Sequence, residues 1–450
     1  MTVPSAARDT IVAIATAAGR GGIGVLRLSG ERVPMLACGF LASGRLPESH
    51  RAVLEDFLDE HGESIDRGIA LYFEAPRSYT GEHVLELQAH GSMVVLQELL
   101  RRACALGARP ARAGEFTERA YLNGRLDLAQ AEAVADLIEA STLQAARSAQ
   151  QSLRGVFSQR IEASVNLLRE LRVLVEASLD FPEEDIDVLA ESDVCNRLQS
   201  LMAQLEQTLL AARQGQRLRD GVRLVLAGHP NVGKSSLLNA LAGSDTAIVT
   251  DVPGTTRDVV RERFEIDGLS FELADTAGLR SSDDPVERIG IERAHAELAQ
   301  ADLILRVHDA RLGTVEEPTW SLPYRPTLGV IDVYNKVDLC KAAATAGESG
   351  VWLSAKTGEG LDALRQLMLE RAGLSDPTDA QFSARERHVL AIERCLLRVD
   401  AARDALEHHA GAELAAEELR DAQLMLHEII GVETADDLLG RIFSTFCIGK

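Results

Sequence analysis

The sequence predicts a multidomain protein of mixed α/β and α class. It has an N-terminal α+β domain, a helical domain drawn from two chain segments, and an α/β domain with a phosphate loop inserted between those segments. Three observations carry this. The chain has 450 residues, about three times the length of a common single domain. Residues 125–180 hold no proline and one glycine, Gly155, whereas the preceding 120 residues read as short strands and turns. From Val222 to about Ala372, strand and helix signals alternate, which is the pattern of parallel α/β units. Boundaries fall at 1–120, 121–216, 217–375 and 376–450.

In the first segment the β-like runs are Thr10–Thr16, Ile23–Leu28, Ile69–Phe73 and Val84–Gln88, separated by Gly, Ser and Pro. A helix is predicted around Met93–Leu106. In the second segment Ile161, Val165, Leu168, Leu171, Val175 and Leu179 recur every three or four residues, one face of a helix ended by Pro182. Another helix is predicted over about 193–213. Val222–Ala227 reads as a buried strand. Ala372–Ala384 has the Gly, Pro, Ser and Asp content of a linker, and 385–409 and 413–430 are predicted helices. Amphipathic helices on both flanks each need a partner surface, so the cheapest arrangement packs them together around the insertion. Two separate helical domains are the alternative.

The chain carries 47 basic and 69 acidic residues, a net of −22, with 46% hydrophobic and 4% aromatic residues. The apolar share excludes a disordered chain. No apolar run is long enough to span a membrane, and Met1–Asp9 lacks the pattern of a secretory signal. The six cysteines show no CxxC spacing, so neither a disulfide framework nor a zinc site is expected. These features predict a cytoplasmic chain. The acid excess argues against a broad basic face for nucleic acid. It is uneven, however: 1–120 hold 13 basic and 15 acidic residues, 121–220 hold 10 and 16, 221–375 hold 16 and 23, and 376–450 hold 8 and 15.

Gly228-His-Pro-Asn-Val-Gly-Lys-Ser235 fits GxxxxGKS between a strand and a helix expected at Ser236–Ala242. Its glycines let backbone N–H groups face an anion, and the helix N-terminus adds partial positive charge. Asn231, Val232, Gly233, Lys234, Ser235 and Ser236 are therefore nucleotide-binding candidates, with Lys234 on the β- and γ-phosphates and Ser235 on Mg²⁺. Asp275-Thr276-Ala277-Gly278 follows the apolar run Phe271–Ala274. Asp275 would hold Mg²⁺ through its shell and the Gly278 N–H would sense the γ-phosphate. Asn335, Lys336 and Asp338 follow the strand-like Val330–Tyr334. A carboxylate there accepts from the ring N–H and exocyclic amine of guanine, and adenine would leave it unpaired. Ser354, Ala355 and Lys356 complete the base pocket. Together these motifs predict a Ras-like domain that binds and hydrolyses GTP.

Two departures from signalling GTPases stand out. Leu279 occupies the place where a Gln would orient the attacking water, and no arginine finger is evident. Asn231 and carbonyls of the loop Thr250, Asp251, Val252, Pro253, Gly254, Thr255 and Thr256, also read as nucleotide-facing, suit a cage for a monovalent cation. Loop capping is the plainer reading of Asn231.

With these residues in place, the chain resembles the MnmE (TrmE) family of tRNA-modification GTPases over essentially its whole length. The marks are Gly19-Arg-Gly-Gly-Ile-Gly24, Tyr79-Thr-Gly-Glu-His-Val-Leu-Glu-Leu87, Pro110-Ala-Arg-Ala-Gly-Glu-Phe116, Leu126-Asp-Leu-Ala-Gln-Ala-Glu132, Asp275–Arg280, Val286-Glu-Arg-Ile-Gly290 and Cys447-Ile-Gly-Lys450. The resemblance implies an N-terminal tetrahydrofolate-binding domain through which two copies dimerise. It also implies G domains that pair in a potassium-dependent way. K⁺ would be held by Asn231, Thr250, Val252 and Thr255, and Mg²⁺ by Ser235 and Thr256. Glu287 would be the catalytic residue that orients water, in place of the missing Gln. Folate contacts map onto Arg27, Glu86, Arg125 and Lys450. Carboxylates of a folate tail suit Arg and Lys, and a pterin edge suits Glu86. Position 125 is Arg where the family's Lys is expected, which keeps the charge and changes the geometry. Arg27 and Glu86 read alone are as compatible with a surface charge and an edge-strand gatekeeper.

The terminal Cys447-Ile-Gly-Lys450 ends in Lys, which does not suit prenylation. Cys447 reads either as a buried structural thiol or as a group beside the folate. The function implied is addition of an aminomethyl or carboxymethylaminomethyl group at C5 of the wobble uridine of certain tRNAs. It needs an MnmG-type partner carrying FAD, a 5-formyl or methylene tetrahydrofolate, GTP, Mg²⁺ and K⁺. The alternative is a regulatory GTPase of ribosome assembly that does no covalent chemistry on RNA. One GKS motif and no GxxG-type RNA-binding module after residue 375 weigh against that alternative. The missing membrane spans exclude an iron-transport GTPase.

Overall fold

The computed structural model describes residues 9–180, 194–243, 262–274, 298–312, 327–340, 346–347, 350–374, 381–407, 411–432, 436–447 and 449. The chain forms two compact units, Met1–Ala135 with Gln423–Lys450, and Asp136–Ala422.

The first unit is built on a six-stranded sheet in the order β3-β4-β5-β2-β1-β6. Its strands are β1 Ile11–Ile14, β2 Gly21–Ser29, β3 Ala52–Leu58, β4 Ser64–Phe73, β5 Val84–Gly91 and β6 Arg109–Pro110. Neighbours are antiparallel except β1 and β6. Alternation sorts the side chains of β2 and β5. Leu26, Leu28, Leu85 and Leu87 enter a core with Phe40, Phe57, Leu96 and Leu99, supplied partly by the helices Val33–Phe40 and Met93–Ala105. Arg27 and Glu86 alternate with these core residues along their strands, and each is only partly exposed. Ile11, Ala13, Ala111 and Phe116 form a second small core, with Tyr79 against it.

Strand β3 and the helices Val33–Phe40, Glu115–Leu122 and Asp436–Ser444 were not among the predicted elements. Each is short, and β3 shows no clean alternation because it edges the sheet. The helix Asp436–Ser444 packs Ile442 and Phe443, with Phe446 beyond it, on Leu128, Ala131 and Ala135.

The second unit combines long helices with a seven-stranded sheet in the order β12-β13-β11-β10-β7-β9-β8. Its strands are β7 Val222–Ala227, β8 Glu262–Ile266, β9 Leu269–Ala274, β10 Leu303–Asp309, β11 Val330–Asn335, β12 Ala346–Gly347 and β13 Gly350–Leu353. β8 and β12 pair antiparallel and the rest are parallel. Leu224, Leu226, Leu305, Val307 and Val333 are buried beneath the helices Lys234–Ala242 and Leu361–Arg371. The helical part contains Leu143–Leu153, Val156–Asp180, Val194–Asp220 and Glu386–Glu407. The proline-free stretch is not one helix. Thr142 caps a new start by accepting from the Ala145 N–H at 3.1 Å, and Gly155 breaks the run at φ 87°.

One expectation is corrected. Ala372–Ala384 is no loose linker at its described ends: Ala372, Leu374, Phe382 and Ala384 are buried. Phe382 stacks on Phe157 with ring centroids 4.6 Å apart. Composition reports turn-forming residues but not that a single Phe among them finds a slot.

A charged knot braces the first unit. Arg119 bonds Asp9, Glu82 and Glu115, and Arg109 bonds Asp9 and Glu115. Glu115 is 2% exposed. Although burial raises its carboxyl pKa, Arg109, the Arg112 N–H and Arg119 together bring it down to about 2. A carboxylate with a lowered folded-state pKa stabilises above its unfolded value and loses that contribution as pH falls through the folded value. Glu115→Gln is therefore expected to cost about 3 kcal/mol at pH 7. The gap between variant and wild type should close between about pH 4.5 and pH 2. Urea unfolding followed by circular dichroism across that range checks this, and a gap independent of pH would contradict it.

Candidate functional site

The phosphate loop leaves β7 where only glycine fits. Gly228 has φ 146°, and a Cβ there would lie 2.3 Å from the Val307 carbonyl oxygen. Asn231 turns the loop at φ 62°. Gly233, at φ 99°, precedes the helix Lys234–Ala242, and a Cβ on it would meet Asn335 Nδ2 at 2.3 Å. Lys234 Nζ donates to the carbonyls of Gly228 (2.8 Å) and His229 (3.0 Å), so its charge is held over its own loop. Ser235 and Ser236 are exposed in the first helical turn.

Register brings the loops that carry the base-site candidates abreast. Asp309 at the end of β10 pairs with Asn335 at the end of β11, which pairs with Leu353 at the end of β13. Behind them His308, Tyr334 and Trp352 stack at 5.0 and 4.5 Å between centroids. Asn335 is buried. Its Nδ2 donates to the Val232 carbonyl at 3.0 Å, and its Oδ1 accepts from the N–H groups of Lys336 (2.8 Å) and Ala355 (2.9 Å). Asp338 accepts from the buried Ser354 hydroxyl at 2.7 Å. That bond aims the carboxylate and leaves acceptor capacity for a ring N–H and an amine. Lys356 lies in the turn after Ser354 and is exposed.

Asp309 stands among these candidates, although motif reading does not single it out. It is 7% exposed and takes Lys336 Nζ at 2.8 Å, while Lys336 also donates to the Asn231 carbonyl. Hydrogen bonds from Arg311, and then Lys336, hold its carboxyl well below the usual carboxylate range. The signal was available, since an acid at the carboxyl end of a parallel strand faces the ligand side of such a sheet. Hydrogen bonds thus join Asn231, Val232, Asn335, Lys336 and Ala355 into one set, Asp338 and Ser354 form a second pair beside it, and Lys234 and Gly233 lie in the adjoining loop. Thr250, Asp251, Val252, Pro253, Gly254, Thr255, Thr256, Asp275, Thr276, Ala277, Gly278 and Glu287 lie outside the described residues.

In the first unit Arg27 and Glu86 are register partners on β2 and β5, bridged at 2.8 Å. The Arg27 guanidinium carbon lies 5.7 Å from the Tyr79 ring and 5.8 Å from the Phe116 ring. Tyr79 shares a 2.8 Å hydrogen bond with Thr117. Arg125 is exposed, and its stem lies close to Gly81. The chain end folds back here. Gly114 N–H donates to the Cys447 carbonyl at 3.4 Å, and Gly449 lies where a Cβ would be 2.4 Å from the Ile14 carbonyl oxygen. Lys450 lies outside the described residues. Cys447 is exposed, which corrects its reading as a buried structural thiol. Its neighbours Phe443 and Phe446 fill the slot instead.

Two substitutions test the base site. Asp338→Asn replaces an acceptor by a donor and should lower GTP affinity on the order of 100-fold while favouring xanthosine triphosphate. Asp309→Ala removes the charged partner of Lys336 and should weaken GTP and GDP alike by about tenfold without changing base preference. Nucleotide titrations with both bases distinguish the two effects.

Comparison with known proteins identifies the family. Residues 10–125 match the family described as the GTP-binding protein TrmE N-terminus, and residues 128–447 match the MnmE helical domain. The chain is 52% identical over 447 residues to the tRNA modification GTPase MnmE of Methylococcus capsulatus, covering 98% of this chain and 99% of that one. It is likewise 52% identical over 449 residues to that of Nitrosomonas europaea, with the same coverage. Among solved structures, the G domain of the Thermotoga maritima FeoB iron transporter is 30% identical. It covers 34% of this chain and 98% of its own, with a TM-score of 0.24. Among the described residues no helix is long and apolar enough to cross a membrane. A guanine-type base site joined to a phosphate loop, in a chain matched end to end by these relatives, places the protein in the MnmE family of tRNA-modification GTPases, GTP hydrolases that act in tRNA modification.

Proposed function

We propose that this chain acts with an MnmG-type partner carrying FAD to add an aminomethyl or carboxymethylaminomethyl group at C5 of the wobble uridine of certain tRNAs. The observation that supports this most is the pairing of two sites in one chain. One is the guanine-type site. The other is the Arg27–Glu86 pair set against Tyr79 and Phe116, with the C-terminal segment folded back toward β1. A guanidinium, a carboxylate and aromatic faces fit a flat, amide-bearing ring with an anionic tail, as in tetrahydrofolate derivatives. Glu86 would take the ring edge, and Arg27, Arg125 and Lys450 the carboxylates. Bound there, a folate would supply a one-carbon unit, with glycine or ammonium giving the amine.

The nucleotide half of the reading assigns Ser235 and Thr256 to Mg²⁺ and Asn231, Thr250, Val252 and Thr255 to K⁺. K⁺ offers the charge that an arginine finger supplies elsewhere. Glu287 orders the attacking water, the task Leu279 cannot perform. Pairing of two G domains completes the hydrolytic site, and two copies of the chain associate through the N-terminal domain. Hydrolysis then drives a closure that regulates the modification and does not itself transfer carbon. The domain limits 1–120, 121–216, 217–375 and 376–450 belong to the same reading, as does a cytoplasmic location.

Nucleoside analysis of wobble uridines in cells lacking this chain is the direct test, and unmodified uridines restored by the wild-type copy are the expected result. Glu287→Ala should bind GTP normally and turn over at least a hundredfold more slowly. Wild-type turnover should be much faster in K⁺ than in Na⁺, and equal rates would remove the cation cage. Calorimetry should show 5-formyltetrahydrofolate binding that Arg27→Ala weakens about tenfold or more.

A further inference from the structure

The inserted sheet is joined to the helices of its own unit by two chain crossings. The inbound crossing runs from the helix Val194–Asp220 into β7. The outbound crossing runs from the helix Leu361–Arg371 through Phe382, Ser383 and Ala384 into the helix Glu386–Glu407. Both converge on one carboxylate. Asp136, 4% exposed in its side chain, accepts through Oδ1 from Arg219 Nε and from Arg385 Nη2, each at 2.7 Å. Its Oδ2 accepts from the Ser383 hydroxyl at 3.2 Å. Arg219 precedes β7 by three residues, and Arg385 directly precedes the returning helix. Ser383 is tied in turn to the helix Leu143–Leu153: its N–H donates to the Ser148 carbonyl at 3.2 Å, and its carbonyl accepts from Ser152 at 2.9 Å.

Beside this clasp lies a polar cavity of about 260 Å³. Arg219 and Asp220 line one wall, and Arg263, Ser270 and Glu272 of the β8–β9 hairpin line the other. The hairpin turn abuts the helical part, since a Cβ on Gly268 would lie 2.9 Å from Gln144 Cβ. β9 ends at Ala274, and Asp275 follows. The strand that runs into the motif read as the γ-phosphate sensor is therefore also a wall of the cavity next to the clasp. A buried carboxylate shared by two guanidinium groups adds little net stability, but its directional bonds fix one arrangement of the segments that carry them.

We propose that Asp136 is a positioning residue that couples the GTP cycle to tRNA modification, by holding both crossings of the inserted domain in one register with the helices. Movement at the nucleotide then reaches the helices as displacement of one tied body, and the cavity gives the hairpin room to move. Asp136 lies on the helix Leu128–Glu139. The coupling role rests on the reading above that GTP-driven closure controls the modification.

The test compares two outputs of the full chain in cells deleted for their own copy and in purified protein. Asp136→Asn keeps the shape and removes the charge, and Arg385→Lys keeps the charge and removes the fork. Both variants should keep GTP kcat and KM within about twofold of wild type and lose wobble-uridine modification by about tenfold or more. A purely structural role would depress both outputs together, so a proportional fall in GTP turnover overturns the proposal, as does modification within twofold of wild type in both variants. If Asp136→Asn does not fold, Arg385→Lys decides by the same criteria. Glu287→Ala serves as the control. If it modifies tRNA at the wild-type level, the reading of GTP-driven closure fails and the coupling role of Asp136 falls with it. If it does not modify while Asp136→Asn does, the Asp136 proposal alone is refuted.

Discussion

The nucleotide site depends on one buried amide. Asn335 joins the phosphate loop, through the Val232 carbonyl, to the serine-alanine-lysine loop, through the Ala355 N–H, and fixes its own turn through the Lys336 N–H. Only a side chain with both a donor and an acceptor can do this. An aspartate there would leave the Val232 carbonyl without its donor in a buried setting, at a cost of about 1–3 kcal/mol. The same amide explains Gly233, whose Cβ would collide with it. Asn335 thus ties the GxxxxGKS loop to the loop that follows β13.

Charged groups at the candidate sites of each unit are held by partners within the chain. Lys234 rests on carbonyls of its own loop, Lys336 on Asp309, and Arg27 on Glu86. These pairs differ in what surrounds them. Asp309 is buried and held by both Arg311 and Lys336, so it reads as a structural support. Arg27 and Glu86 sit partly open, against aromatic rings, where a ligand with complementary groups can replace the bond each makes to the other.

Net charge illustrates how coarse a whole-chain quantity is. A balance of −22 argues against a nucleic-acid partner, yet the chain belongs to a family that modifies tRNA. Phosphate contact is a local matter of a few cations. The N-terminal 120 residues are nearly neutral, with 13 basic and 15 acidic residues, while the acid excess is carried by the helices and the inserted domain.

Short spacings name candidates from the chain alone. Lys234, Ser235, Asn335, Asp338 and Ser354 are proposed by motif chemistry, and Val222–Ala227, Met93–Ala105 and the long helices follow from periodicity, because these signals are local. What needed the folded chain is whatever joins residues far apart in sequence. Asp309 becomes a partner of Lys336 through the parallel register of β10 and β11. Phe382 leaves its loop-like surroundings to stack on Phe157. Cys447 is exposed because Phe443 and Phe446 take the apolar slot. Asp136 reads in sequence as one more acid on a helical face, and becomes the meeting point of Arg219, Ser383 and Arg385 only when two chain crossings are brought to it. Local spacing specifies chemistry and element type, whereas long-range packing specifies which charges meet, since that depends on loop closures whose energy no short window of sequence contains.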